Sequence, residues 1–85
     1  MTSYRNFGVV GGGEWGTALA QLLAAQGAPV TLWAREAEVV AAINAEHRNP
    51  LFLPGAELSP SLTATDDLSA LGGLDALLVV VPVPY

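Results

Sequence analysis

The chain has 85 residues, 52% of them hydrophobic and 13% charged, with a formal net charge of −5 and no cysteine. That composition excludes intrinsic disorder, a disulfide framework, and the class of nucleic-acid binders that grip phosphates with a basic face. Charged or turn-forming residues break every apolar stretch before the roughly 18 residues a membrane span needs, and the first residues lack a secretory pattern, so a single domain in a reducing, cytoplasmic setting is expected.

Phe7 to Val10 reads as a short apolar strand, and Gly11-Gly12-Gly13-Glu14-Trp15-Gly16 as a sharp break opening onto a helix over 17–26. Leu19, Leu22 and Leu23 recur in it at i, i+3 and i+4, which predicts a core-facing stripe. Gly27 stands where a left-handed C-terminal glycine belongs. Pro29 leads into Val30-Thr31-Leu32-Trp33, a second strand rich in β-branched and aromatic residues. Glu36 to Ala45 reads as a second helix, with Val39, Val40 and Ile43 on one face and Glu36 and Glu38 at the favourable end of its dipole. His47 beyond it reads as a dipole partner at the opposite end.

Asn49-Pro50 and Pro54-Gly55 bracket Leu51-Phe52-Leu53 in a loop apolar enough to need a packing partner. Leu62 to Thr65 is a third strand, Asp66 or Asp67 caps a brief helix through Leu71, and Gly72-Gly73 end it. The continuous apolar run Ala76 to Val81 reads as a strand buried on both faces. The alternation predicts an α/β fold: a partial Rossmann-type parallel sheet of about four strands, in order 3-2-1-4, with helices on both faces. Standing last in that order, the final strand would be an uncovered apolar edge and a place for self-association.

The chemical signal is Gly11-x-Gly13-x-x-Gly16. In this pattern the first glycine allows the strand-to-helix turn, the second lets a pyrophosphate approach the backbone, and the third lets helix and strand pack closely. The helix N-terminus supplies free N–H groups and partial positive charge, so an acidic, lysine-free chain can still hold a dinucleotide. An NAD-selective unit carries Asp or Glu at the end of the second strand, about 20 residues after the glycines. Here that place holds Trp33-Ala34, followed by Arg35 and then Glu36, so a guanidinium precedes the carboxylate and use of both NADP and NAD is expected. No metal site is expected. Blander readings make Arg35 a solvated charge, Trp15 chiefly a packing residue that offers its backbone N–H, and Phe52 a core residue.

Val10-Gly11-Gly12-Gly13-Glu14-Trp15-Gly16-Thr17-Ala18-Leu19-Ala20, Leu32-Trp33-Ala34-Arg35, Asn49 with Phe52-Leu53-Pro54-Gly55, Ala64-Thr65-Asp66-Asp67-Leu68 and Val79-Val80-Val81-Pro82 stand in the same order as blocks of a known family. Through them the chain resembles the bacterial NAD(P)-dependent glycerol-3-phosphate dehydrogenases, over nearly its whole length and over the first quarter or so of such a protein. The resemblance implies an enzyme that interconverts glycerol 3-phosphate and dihydroxyacetone phosphate for glycerophospholipid synthesis. It also implies that Glu14 and Trp15 contact the cofactor pyrophosphate, that Arg35 and Glu36 lie at the adenosine 2′ position, and that Phe52 lies near the cofactor. Glu14 stands where that family usually carries serine. The family holds its catalytic lysine and substrate-phosphate ligands in later segments, mostly a helical second domain. Residues 1–85 are therefore expected to be the N-terminal part of the Rossmann domain, with no catalytic residue and no dehydrogenase activity alone. The small phosphorylated substrate would be held through that other domain. A segment of a ketopantoate-reductase-like dehydrogenase and a non-catalytic dinucleotide-sensing module remain as alternatives.

Overall fold

Short apolar runs cannot bury themselves, so their backbone groups and side chains are satisfied together by pairing into one sheet. The computed structural model describes residues 6–11 and 13–80. Among them β1 (Phe7–Val10), β2 (Val30–Trp33), β3 (Leu62–Thr65) and β4 (Ala76–Val79) run parallel in the order β3-β2-β1-β4, as the alternation predicts. Phe7 pairs with both Val30 and Ala76, and Val30 with Leu62, so residues of equal register share one face of the sheet.

Helix α1 (Glu14–Ala24) links β1 to β2, and α2 (Ala37–Glu46) links β2 to β3. Both crossovers step in the same direction across the sheet, so right-handedness sends both helices to the same face. There Val9, Val30, Leu32, Leu62 and Ala64 meet Ala20, Ala24, Val39 and Ile43 in one buried core. The step from β3 to β4 goes the other way, and the opposite face carries a short 3-10 turn, Leu68–Leu71. Leu71 and Leu74 close over Gly8 there, where a Cβ would meet the Leu74 side chain at 2.8 Å.

Three expectations change. Helix α1 begins at Glu14, inside the glycine motif, and ends at Ala24 rather than running over 17–26. Its buried face consists of Gly16, Thr17, Ala20 and Ala24, whereas Leu22 is exposed and Leu19 and Leu23 are only half-buried. The helix lies so close to the sheet that small residues fill the contact and the leucines flank it. Nor is β4 buried on both faces: Leu77, Leu78 and Val79 are exposed, because α1 packs over β1 and β2, α2 packs over β3, and β4 is the edge strand. Gly12 and Val81 lie outside the described residues.

The remaining ends are closed by local chemistry. Gly27 adopts a φ of +93° and donates its N–H to the Ala24 carbonyl. His47 closes α2 through its backbone, in the left-handed region, donating to the Ile43 carbonyl at 3.1 Å. On the outer side of β3 the Asn44 carboxamide of α2 accepts from the Ala64 N–H at 2.8 Å and donates to the Ala64 carbonyl at 2.9 Å. Of the two candidate caps, Asp67 holds the 3-10 turn: its Oδ1 accepts from the Ser69 N–H at 3.0 Å and from the Ser69 hydroxyl at 2.7 Å.

The two bonds from Ser69 favour the ionised form and hold the Asp67 carboxyl below its ordinary value. A lowered pKa means that the carboxylate stabilises the turn above the ordinary carboxylate range and loses that effect as pH falls through the Asp67 titration. Amide exchange at Ser69 is therefore expected to accelerate in that acidic window in the parent chain. In Asp67→Ala it is expected to be fast throughout and to show no step.

Candidate functional site

The C-terminal end of β1 is where the chain's direction across the sheet reverses, with β2 on one side and β4 on the other. Such a switch point opens a crevice at the carboxyl ends of the strands. The glycine segment is tied across it. Gly11 donates its N–H to the Trp33 carbonyl at 3.1 Å, and Val80 donates to the Val10 carbonyl at 2.9 Å, so the ends of β2, β1 and β4 are joined beneath the turn.

The three glycines are needed for three different reasons. Gly11 has a φ of +125°, and a Cβ there would stand 2.5 Å from the Val80 carbonyl oxygen. Gly16 lies in the first turn of α1, where a Cβ would run into the Gly11 carbonyl. Gly13, the N-cap, has extended backbone, and among the described residues no atom beyond its chain neighbours lies within 4 Å of where its Cβ would be. Nothing in the fold itself demands glycine at that position. What it leaves is an open approach to the start of α1, which no side chain caps, so the first-turn N–H groups of Glu14, Trp15 and Gly16 face space suited to an anion.

Around this turn stand the other residues singled out in the sequence. Glu14 occupies the first helical position and is exposed, favourable for the helix dipole and of the same sign as any anion held there. Trp15 is 79% exposed, so within the described residues it is no packing residue. With Ala18, Leu19, Leu22 and Val80 it lines an apolar groove of about 390 Å³ beside the turn. Arg35 and Glu36 follow the end of β2, next to Gly11. The Arg35 side chain is 84% exposed, with Nη2 3.9 Å from Glu36 Oε2, a loose ion pair that leaves the guanidinium open to another acceptor. At the end of β2 the Trp33 indole N–H is buried without a hydrogen-bond acceptor among the described residues.

Phe52 is half-buried and packs against the edge of the core. Its position is set by Asn49, which the sequence marks as a loop boundary and as part of a family block but not as a site residue. Asn49 is fully buried, donates from Nδ2 to the Thr17 hydroxyl at 2.8 Å, and accepts the Phe52 N–H on Oδ1 at 3.1 Å. Thr17 is equally buried and lies one turn into α1. Of the eight candidates, Gly11, Gly13, Glu14, Trp15, Gly16, Arg35 and Glu36 thus stand at the carboxyl end of the sheet and the start of α1, and Phe52 is tied to the same helix through Asn49 and Thr17.

A parallel sheet with a glycine turn and an uncapped helix at its switch point defines a Rossmann-type nucleotide-binding unit. The chain belongs to the family described as NAD-dependent glycerol-3-phosphate dehydrogenase N-terminus, whose model matches residues 6–85. It is 85% identical over its full length to a protein of Sphingopyxis alaskensis named glycerol-3-phosphate dehydrogenase (NAD(P)+) 1, covering 26% of that protein. It is 54% identical over 91% of its length to an Erythrobacter litoralis protein named glycerol-3-phosphate dehydrogenase (NAD(P)+), covering 23% of it. A crystal structure of glycerol-3-phosphate dehydrogenase from Coxiella burnetii aligns with a TM-score of 0.83 at 39% identity, over 93% of this chain and 25% of that one. The chain therefore spans about a quarter of the length of the curated relatives it matches. Family membership decides against the ketopantoate-reductase-like alternative.

The glycine geometry makes a direct stability test. Gly16→Ala is expected to cost roughly 1–3 kcal/mol, the range for forcing extra volume into a close-packed contact. Gly13→Ala is expected to change stability by less than about 1 kcal/mol, since its Cβ meets nothing. Denaturant titration of the two variants checks the difference.

Proposed function

We propose that the chain is the cofactor-binding segment of an NAD(P)-dependent glycerol-3-phosphate dehydrogenase, with residues 1–85 forming the N-terminal part of its Rossmann domain. The observation that carries this reading is the open approach at Gly13 beside the uncapped start of α1. In it the N–H groups of Glu14, Trp15 and Gly16 hold the pyrophosphate, Arg35 and Glu36 border the adenosine ribose, and Phe52 forms a wall near the cofactor. When bound, the nicotinamide ring of NAD or NADP exchanges a hydride with the carbon that is carbinol in glycerol 3-phosphate and carbonyl in dihydroxyacetone phosphate.

The 85 residues contain no lysine. We assign the substrate-phosphate clamp and the proton-transfer group to the part of the relatives' length that this chain does not match, and expect no dehydrogenase activity from these residues alone. A cytoplasmic location and a role in supplying glycerol 3-phosphate to glycerophospholipid synthesis belong to the same proposal and rest on the family resemblance. No helix among the described residues is long and apolar enough to cross a membrane. Self-association is proposed through the exposed β4 edge, with Leu77, Leu78 and Val79 as the contact. It is expected to show as a scattering mass that rises with protein concentration, and a constant monomer mass would remove it.

The test is titration of NADPH and NADH into the protein at fixed ionic strength. Both are expected to bind, NADPH at least as tightly, and Gly13→Ala is expected to weaken both by more than about tenfold by filling the approach. Arg35→Ala is expected to weaken NADPH selectively, by the roughly 1.5–3 kcal/mol of a charge-assisted hydrogen bond at most, while NADH is little changed. Equal weakening of both would leave Arg35 a solvated strand-end charge. Glu14→Ser removes a like charge beside the pyrophosphate, so binding is expected to tighten by up to roughly 1 kcal/mol while the helix loses a few tenths of a kcal/mol.

A further inference from the structure

We propose that Asn49 is a positioning residue for the cofactor site: its buried carboxamide locks the loop bearing Phe52 to the first turns of α1 and so sets the wall against which a dinucleotide rests. This rests on the cofactor reading above. Between α2 and β3 the chain runs from His47 to Ser61 with no regular structure except a bridge between Asn49 and Leu53. Connections this long are ordinarily the mobile parts of a fold. Here the loop is fastened at two separate points of α1. At the helix's C-terminal end the Ser59 N–H donates to Gln21 Oε1 at 2.7 Å, and the Ser59 hydroxyl donates to the Ala24 carbonyl at 3.3 Å. At the other end, beside the glycine turn, stands Asn49.

Three polar groups of Asn49 are engaged toward the loop and the helix. Nδ2 donates to Thr17 Oγ1, Oδ1 accepts from the Phe52 N–H, and its backbone carbonyl accepts from the Leu53 N–H at 3.0 Å. The Thr17 N–H in turn donates to the Gly13 carbonyl at 2.9 Å. A chain of hydrogen-bonded residues therefore runs from Gly13 through Thr17 and Asn49 to the backbone amide of Phe52. Burying two polar side chains here gains little for the core, because desolvation cancels most of each bond. What the pair supplies is register, holding Phe52 at one distance from the start of α1. Asparagine suits the place because the carboxamide both donates and accepts from one plane, whereas aspartate keeps only the acceptor. The Ser59 fastening lies at the far end of α1, so losing the Asn49 bond frees the Phe52 end of the loop without releasing the whole connection.

The experiment measures NADPH binding, inorganic pyrophosphate binding and amide exchange in the parent chain, Asn49→Asp, Thr17→Val and Thr17→Ser. Expected are an about tenfold weaker NADPH affinity in Asn49→Asp and Thr17→Val, near-parental affinity in Thr17→Ser, and unchanged pyrophosphate binding in all of them. Exchange at the Phe52 and Leu53 amides is expected to rise in the two weakened proteins while the Ser59 amide stays protected. If Asn49→Asp does not fold, the near-isosteric Thr17→Val carries the comparison. Parental NADPH affinity alongside faster Phe52 exchange would overturn the positioning role and leave the cofactor reading standing. Failure of the parent chain to bind either NADPH or pyrophosphate would overturn the cofactor reading itself, and this proposal with it.

Discussion

The α-carbon of Gly16 and the carbonyl of Gly11 share a space that no side chain can enter, and the rest of the molecule is arranged around that contact. It brings the first turn of α1 onto the end of β1, which places the helix N-terminus over the crevice between β1 and β4. It also dictates what the helix can bury: following Gly16, the next residues along the same face are Ala20 and Ala24, spaced by four and small enough to keep α1 low on the sheet. The leucines of α1 are pushed to the flanks, and the groove beside Trp15 is the result.

The strands, their order and the placement of the glycine turn were legible in the sequence because each leaves a local mark: β-branched runs, a glycine spacing, a capping aspartate. The buried face of α1 was not. Two patterns with helical spacing coexist there, Leu19-Leu22-Leu23 and Gly16-Ala20-Ala24, and hydrophobicity alone selects the larger side chains while close packing selects the smaller. For β4 the apolar composition and the edge position were legible, and only burial on both faces was not, since double burial depends on what lies over a strand. Thr17 and Asn49 stand in the family blocks, but nothing in the sequence marks their contact. Each is an ordinary polar residue in its own segment, and the reason for burying them exists only once residues 32 positions apart meet.

Electrostatically the site works against the grain of its chain. With a net charge of −5 the chain offers an anion no long-range attraction, so the proposed cofactor reading relies on the short-range dipoles of the uncapped start of α1 and on Arg35. Glu14 shows the compromise: at the first position of α1 its carboxylate strengthens the helix whose N-terminus it partly neutralises.

The two rims of the sheet are not equivalent. On β3 the Asn44 carboxamide offers Ala64 one donor and one acceptor, the same pair a neighbouring strand would present, so the outward amide and carbonyl of that residue are already satisfied. No such imitation strand lies along the described length of β4. The β3 rim is thus partly closed to a further strand at Ala64, while along the described length of β4 the outward groups remain the more open template for one, from the same chain or another.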